Sequence, residues 1–126
     1  MRAVLDTSVV VAAAIPPLEG ELAISTATLA ELHFGVLVAA SPFRRAERLR
    51  RLALVERLFD ALPVDQAAAR SYGQLAAVMV QTGRQPRARV MDLLIAATAH
   101  AHRARLYTRD AAGLRGLDPL VDIVAV

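Results

Sequence analysis

Short apolar segments alternate with segments of helical periodicity along the whole chain, and this alternation limits the possible folds more than any other feature. The pattern predicts strands at residues 2–5, 22–24, 61–64, 105–108 and 122–126. It predicts helices from residue 7 to just before Pro16, and at residues 26–38, 42–59, 66–81 and 92–103. Parallel strands need such crossover helices, which cover both faces of the sheet. We therefore predict an α/β fold with three α/β/α layers and a short central parallel sheet.

Chain length and composition bound the domain count and the compartment. The 126 residues suit one domain, residues 1–126, large enough to form its own core. Cysteine is absent, so disulfide and thiolate metal sites are excluded and a reducing compartment is acceptable. No apolar run reaches the roughly 18 residues of a membrane helix, and Asp6 interrupts the N-terminal apolar segment too early for a signal peptide. We expect a cytoplasmic protein without membrane attachment.

The charge of the chain is a weaker indication of function than its pattern of apolar segments. The net charge is +3 and all 15 lysine or arginine positions hold arginine. A GC-rich coding sequence explains this bias, although arginine also binds phosphate bidentately and stacks on unpaired bases. Three arginines, Arg84, Arg87 and Arg89, come just before Asp92 and are our candidates for guiding an RNA backbone.

Four acidic residues lie beside segments that should be buried: Asp6, Glu31, Asp92 and Asp110. Asp6 and Asp110 each follow a predicted strand, and ligands of parallel α/β folds bind beyond the carboxyl ends of strands. Each acid has an ordinary structural explanation as a helix cap, a turn residue or an ion-pair partner. Carboxylates that converge repel one another unless a cation compensates them, and such clusters suit Mg2+ or Mn2+.

Four ordered motifs resemble those of PIN-domain ribonucleases. They are Asp6-Thr7-Ser8 after a hydrophobic strand, the segment at residues 30–35 around Glu31, the segment at residues 92–99 that Asp92 opens, and the segment at residues 106–110 that Asp110 ends. The likeness covers essentially the whole chain and is closest to the VapC toxins of bacterial toxin-antitoxin pairs.

This resemblance implies an endoribonuclease that depends on Mg2+ or Mn2+ and carries Asp6, Glu31, Asp92 and Asp110 in its acidic catalytic site. It also implies a homodimer that a VapB-type antitoxin holds inactive. Asp6 and Asp92 are expected to be direct metal ligands, while Asp110 and Glu31 ligate directly or through water. The hydroxyls of Thr7, Ser8 and Thr108 are expected either to hydrogen-bond these ligands or to act in caps and turns.

The helices predicted at residues 26–59 have more apolar side chains than one sheet face can cover. These side chains are Leu29, Phe34, Leu37, Val38, Phe43, Leu49 and Leu54. Apolar patches of this kind usually mark interfaces, so we expect a partner protein to cover them. An arginine of an antitoxin could also pair with the acidic site and exclude the metal.

Other functions fit less well. A phosphoacceptor receiver domain requires an acidic pair at the end of strand one and a lysine, and this chain has neither. A phosphatase of the dehalogenase type requires an acid two residues after Asp6, where Ser8 stands. A non-catalytic or weakly catalytic module that binds RNA or antitoxin remains as the alternative.

The histidines and the arginines of the third predicted helix have ordinary structural explanations. His100 and His102 are two apart on a helix and so point in different directions, which argues against a joint metal site. His33 is interpreted as a packed or surface residue, and the arginines at residues 44–57 as a solvated helix face.

Overall fold

The computed structural model describes residues 1–126 and contains one five-stranded parallel sheet in the order β3-β2-β1-β4-β5. The strands are β1 Arg2–Leu5, β2 Glu21–Ser25, β3 Asp60–Leu62, β4 Arg105–Thr108 and β5 Ile123–Ala125. The helices are α1 Thr7–Val10, α2 Thr26–Leu37, α3 Pro42–Leu58, α4 Gln66–Gln81 and α5 Val90–Ala101. Two 3-10 helices span Pro86–Arg89 and Ala111–Leu114. The predicted fold class is confirmed.

Apolar side chains fill both faces of the sheet. Successive side chains of a strand point to opposite faces, so Val4 packs into the core beneath α4 and α5 with Leu75 and Leu93. Its neighbour Leu5 packs on the other face with Val9 of α1 and Val55 of α3. These two cores give the three layers. None of the helices combines the length and hydrophobicity that a membrane crossing requires.

Helix α1 is shorter than predicted, because it ends at Val10 rather than just before Pro16. The guanidinium of Arg51 on α3 donates to the carbonyl of Val10 at 2.6 Å and to that of Ala12 at 2.9 Å. An arginine at a helix C-terminus satisfies carbonyls that have no partner within the helix. The end of α1 is therefore set by a residue about forty positions away in sequence, which local patterning could not reveal.

Two other boundaries also differ from the prediction. Strand β3 spans Asp60–Leu62 instead of residues 61–64, because Pro63 has no N–H for the ladder and the N–H of Val64 donates to Thr26 Oγ1 at 3.0 Å. Helix α5 begins at Val90, two residues before Asp92. The side chain of Asp65 caps α4 and accepts a hydrogen bond from the N–H of Ala68 at 3.0 Å.

The strand order places the predicted site. Strands β1 and β4 are adjacent and parallel at the centre of the sheet, and the N–H of Asp6 donates to the carbonyl of Tyr107 at 2.9 Å. Asp6 and the segment after Thr108 therefore lie at the same edge. Helix α2 starts directly after β2 on the other side of β1, which directs its residues toward this edge as well.

Candidate active site

Asp6 is buried at the end of β1, with 6% of its surface exposed. Its Oδ2 accepts hydrogen bonds from Ser8 Oγ at 2.6 Å and from Thr108 Oγ1 at 2.9 Å. A buried carboxylate without such donors would be costly, so the two hydroxyls hold it in place. Both bonds use Oδ2, which leaves Oδ1 for a further ligand. Ser8 is therefore not a helix cap: Asp6 itself is the N-cap of α1 and makes no capping bond through its side chain.

Thr108 connects two acidic segments. Its buried Oγ1 donates to Asp6 and accepts from the N–H of Asp110 at 3.0 Å. Ser8 acts in parallel, because its Oγ accepts from the N–H of Arg109 at 3.0 Å. The backbone after β4 is thus tied to the end of β1 by two hydroxyls, each of which also contacts the Asp6 carboxylate.

Asp92 lies in the first turn of α5, as predicted. Burial raises the pKa of its carboxyl, the negative charge of Asp6 raises it further, and the hydrogen bond from Arg89 opposes both effects. The charge of Asp110 adds to the increase in pKa. Asp92 is therefore electrostatically coupled to the other two aspartates, a pattern common at functional sites.

Arg89 stands between two of the acids. Its Nη1 lies 2.8 Å from Asp110 Oδ2 and 3.3 Å from Asp92 Oδ2. These hydrogen bonds, the one to Asp110 first, raise the pKa of the guanidinium. Arg89 had been predicted to guide RNA together with Arg84 and Arg87, but here it pairs with the acids.

The other two arginines also differ from each other. Arg84 donates to the carbonyl of Gly113 and, at 3.1 Å, to that of Arg115, so it braces the Ala111–Leu114 turn. Arg87 is exposed and makes no hydrogen bond within the protein. Of the three, only Arg87 has a free guanidinium in this structure.

Glu31 lies on α2, half-buried and apart from the three aspartates. Its Oε1 accepts from Thr7 Oγ1 at 2.7 Å, and Thr7 Oγ1 also lies 3.0 Å from the hydroxyl of the fully buried Thr28. We expected the four carboxylates to converge on one point. In this structure no three acidic side chains lie close enough together to hold one metal ion. The physical reasons are the position of Arg89 and the separate anchoring of Glu31.

A groove of about 840 Å³ between α2 and α3 begins at Glu31. Its lining includes Thr7, Glu31, Phe43, Arg44, Arg48 and Arg51. Arg48 donates to the carbonyl of Gly35 at 2.6 Å and Arg45 to that of Leu37 at 3.3 Å, so part of the arginine-rich face of α3 anchors neighbouring helix ends. The predicted solvated face is confirmed for Arg45 and Arg48, which are exposed, whereas Arg51 is partly buried.

Most of the apolar side chains expected on the partner-binding surface are exposed. Phe34, Leu37, Val38, Phe43, Leu49 and Leu54 remain accessible, with Leu37 and Phe43 each 71% exposed. Leu29 packs against the core between α3 and the sheet, in agreement with the prediction that not all of these side chains fit beneath one sheet.

The three histidines have separate surroundings. His100 Nδ1 lies 2.8 Å from Ser71 Oγ, whereas His102 Nδ1 lies 3.4 Å from a guanidinium nitrogen of Arg2. His33 is on the surface, 3.9 Å from Glu56.

Some residues that support the site could not be recognised in the sequence. Thr28 and Gly113 carry no pattern of their own, and their positions depend on contacts between distant elements. Gly113 accepts the bond from Arg84 through its carbonyl and donates to Asp110 Oδ1 at 3.3 Å. The only local signal was the Asp110-to-Gly113 spacing, which is typical of a capped turn.

Comparison with known proteins identifies the family. The PIN domain model matches residues 3–115 of the chain. The chain is a member of the PIN-domain family. Among curated proteins, Ribonuclease VapC5 of Mycobacterium tuberculosis is 40% identical over 116 residues, which cover 85% of this chain and 82% of that protein. Ribonuclease VapC8 of the same species is 38% identical over 99 residues, covering 75% of this chain and 88% of that protein. The chain therefore belongs with the VapC ribonucleases among PIN-domain proteins.

Solved structures agree with this assignment. VapBC-5 from Mycobacterium tuberculosis, a member of the VapBC family of toxin-antitoxin systems, superposes with a TM-score of 0.82 at 36% identity, over 99% of this chain and 97% of that chain. FitAcB from Neisseria gonorrhoeae gives a TM-score of 0.77 at 26% identity, over 98% of this chain and 96% of the other. The PIN fold thus extends over almost the whole of this chain.

Proposed function

We propose that this PIN-domain protein is the endoribonuclease toxin of a toxin-antitoxin pair, that it depends on a divalent metal, and that a VapB-type antitoxin neutralises it. The observation that carries the proposal is the coupled aspartate group at the edge of β1 and β4, where Asp6 is preorganised by two hydroxyls and Asp92 is destabilised by neighbouring charge. Relatives named ribonucleases and a similar toxin-antitoxin structure support the reaction and the partner.

The residues fit a divalent cation. Asp6, Asp92 and Asp110 supply only hard oxygen donors, the kind that Mg2+ and Mn2+ prefer. Burial first, and then the negative charge of Asp6, raise the pKa of Asp92, and a bound cation would oppose both effects. We propose Asp6 and Asp92 as direct ligands, and Asp110 and Glu31 as ligands that act directly or through water. When bound, the ion supplies an activated water molecule and offsets charge on the scissile phosphate.

The chain's own groups then have separate tasks. Ser8 and Thr108 fix the orientation of Asp6 so that Oδ1 faces away from its hydrogen-bond donors. Glu31 is paired with a hydroxyl and not with an arginine, so we propose that it orients the attacking water and accepts its proton. Arg87 is exposed beside the site and is the best placed of the three predicted arginines to meet the RNA backbone.

We propose that the antitoxin occupies the groove between α2 and α3. Phe43 in its lining is 71% exposed and Phe34 on α2 is 66% exposed, and both suit the apolar face of an amphipathic segment of a partner. The groove also reaches Glu31, so a bound segment can carry an arginine to this carboxylate and compete with the metal. We also propose that the protein is a homodimer and lies in the cytoplasm. Analytical ultracentrifugation measures the oligomeric state.

The alternative is a module of the same fold that binds RNA or antitoxin with little cleavage. The exposed Arg87 and the apolar groove alone would support it. This alternative makes a different prediction. Variants without the acids would still bind RNA or antitoxin and would still arrest growth.

Growth and cleavage assays test the proposal together. Expression of the chain alone should arrest growth, and coexpression of the antitoxin encoded beside it should restore growth. Purified protein should cleave RNA with Mg2+ or Mn2+ and not with EDTA. Asp92→Asn should abolish arrest and cleavage, while Asp118→Asn, a matched change at an exposed acid outside the site, should preserve both. Harmless expression at verified levels, or arrest by Asp92→Asn, would refute the proposal.

A further inference from the structure

Arg89 makes an unusual use of one nitrogen atom. Nη1 alone contacts the carboxylates of both Asp92 and Asp110. These acids come from different parts of the fold, the first turn of α5 and the turn two residues after the end of β4. The side chain is 35% exposed, so solvent reaches part of it while the two carboxylates cover the rest. It lies inside the group of acids proposed above to bind a metal.

The surroundings of the guanidinium are shaped to accommodate it. Gly113 leaves the space that Arg89 fills: a Cβ atom at this position would collide with Nη1, and would lie 2.9 Å from Arg89 Cζ and 2.7 Å from Asp110 Oδ2. Gly113 is itself held in place, since its carbonyl accepts from Arg84 and its N–H donates to Asp110 Oδ1. The absence of a side chain at Gly113 thus leaves space for the guanidinium beside the two acids.

The two oxygens that Arg89 occupies belong to proposed metal ligands. A guanidinium hydrogen-bonded to Asp92 Oδ2 and Asp110 Oδ2 uses the lone pairs and the negative charge that a divalent cation needs. We infer that Arg89 is an internal counter-ion that occupies the acidic site in the metal-free protein and is displaced when the divalent ion binds. This inference rests on the proposed metal-dependent function and makes Arg89 a positioning residue that sets the metal affinity.

Thermodynamic linkage gives the inference a quantitative form. If the Arg89 contacts exist only in the metal-free state, their removal destabilises that state and tightens metal binding by the same factor. Removal also restores the repulsion between Asp92 and Asp110, which acts in the same direction. Two partly exposed ion pairs correspond to roughly a three- to tenfold change in affinity.

Titration of the metal-free protein with Mn2+, followed by calorimetry or by the spin resonance of free Mn2+, tests the inference directly. Arg89→Gln should bind Mn2+ roughly three- to tenfold more tightly than the wild type. Arg89→Met should do likewise, because it also removes the guanidinium and leaves every acid and its surroundings in place. The control is Arg87→Gln, which removes the same charge two residues away from an exposed side chain without partners. Its metal affinity should stay at the wild-type value.

Thermal unfolding provides a second readout that a purely structural role would not give. In EDTA, Arg89→Gln should melt below the wild type, and saturating Mn2+ should narrow the difference. Equal destabilisation with and without Mn2+, or Mn2+ affinity of Arg89→Gln that is unchanged or weaker, would overturn the inference. An equal increase in Mn2+ affinity in Arg87→Gln would also overturn the inference, because the increase would then follow from the lower net positive charge and not from the Arg89 contacts.

Failure of the underlying function gives a different result. If the wild type binds no Mn2+, or if Asp92→Asn binds it as well as the wild type, the proposed metal site itself is wrong. If Asp92→Asn loses binding and Arg89→Gln behaves as the wild type, only the role of Arg89 is refuted. Should Arg89→Gln fail to fold, Arg89→Met decides the question.

Discussion

Thr108→Val tests whether a single hydroxyl organises the acidic site. Valine has nearly the shape of threonine, so the substitution removes the Thr108 Oγ1 atom and leaves the packing of the fully buried position unchanged. Its two short hydrogen bonds disappear: the one to Asp6 Oδ2 at 2.9 Å and the one from the N–H of Asp110 at 3.0 Å. The 3.5 Å contact with Ser8 Oγ is lost as well. Asp6 then keeps only the bond from Ser8.

The free-energy cost follows from these two bonds. A hydrogen bond to a charged group contributes about 1.5–3 kcal/mol, and Asp6 is buried, so water cannot replace the lost donor. The N–H of Asp110 lies nearer the surface and can bond to water. We expect the free energy of unfolding to fall by about 2–3 kcal/mol in total, which lowers the melting temperature by roughly 6–15 °C for a chain of this size.

Activity should fall as well, because Asp6 loses its orientation. Loss of a group that orients a ligand typically reduces metal affinity or activity by about 10- to 100-fold. The assay is RNA cleavage at several Mg2+ concentrations, at a temperature where the circular dichroism spectrum shows the variant to be folded. Part of the loss should be recovered at high Mg2+.

Thr98→Val is the matched control. Thr98 is equally buried, and its Oγ1 bonds to the carbonyl of Leu94 at 2.8 Å and to Ser25 Oγ at 2.9 Å, away from the acids. The Thr98→Val variant should have a lower free energy of unfolding than the wild type but the same rate of RNA cleavage. Wild-type cleavage by Thr108→Val at low Mg2+, or an equal loss in Thr98→Val, would refute the reasoning that Thr108 acts through Asp6.

Other changes address the charge, the core, the partner and the RNA path. Because the pKa of Asp92 is raised above its usual 3.8, its protonated form stabilises the fold at low pH and this contribution is lost as pH rises through the raised pKa. Asp92→Asn should therefore gain stability relative to the wild type over that window, by at most about 1 kcal/mol for a side chain this exposed; denaturant titrations giving a pH-independent difference would contradict this. Leu75→Ala should lower the free energy of unfolding in urea by about 2–5 kcal/mol, because Leu75 is fully buried on the inner face of α4. Phe43→Glu should weaken antitoxin binding at least about tenfold in calorimetry, as loss of a central aromatic contact does, and should leave cleavage intact. Arg87→Ala should weaken RNA binding and reduce its salt dependence by about one ion, whereas Arg103→Ala should change neither; equal effects at both positions would exclude the proposed RNA path.

Local patterning was sufficient for much of the fold. The continuous apolar run of β1 and the helical period of α4 depend on which neighbours along the chain are apolar, so both elements were predicted with their bounds. Asp6 was placed correctly at the end of β1 because parallel strands present their carboxyl ends at one edge. Asp92 was likewise expected in the first turn of α5, where the structure has it.

Contacts between distant parts of the chain decided the rest. The end of α1 depends on Arg51, and the partners of Arg89 include an acid 21 residues away in sequence. Thr108 and Asp6, which are 102 residues apart, meet only because β4 pairs with β1. A guanidinium reaches whichever carbonyl or carboxylate the packed elements bring near it. Residue types and spacing therefore determined which chemical groups this protein has at the sheet edge, while tertiary packing decided which of them are paired with one another.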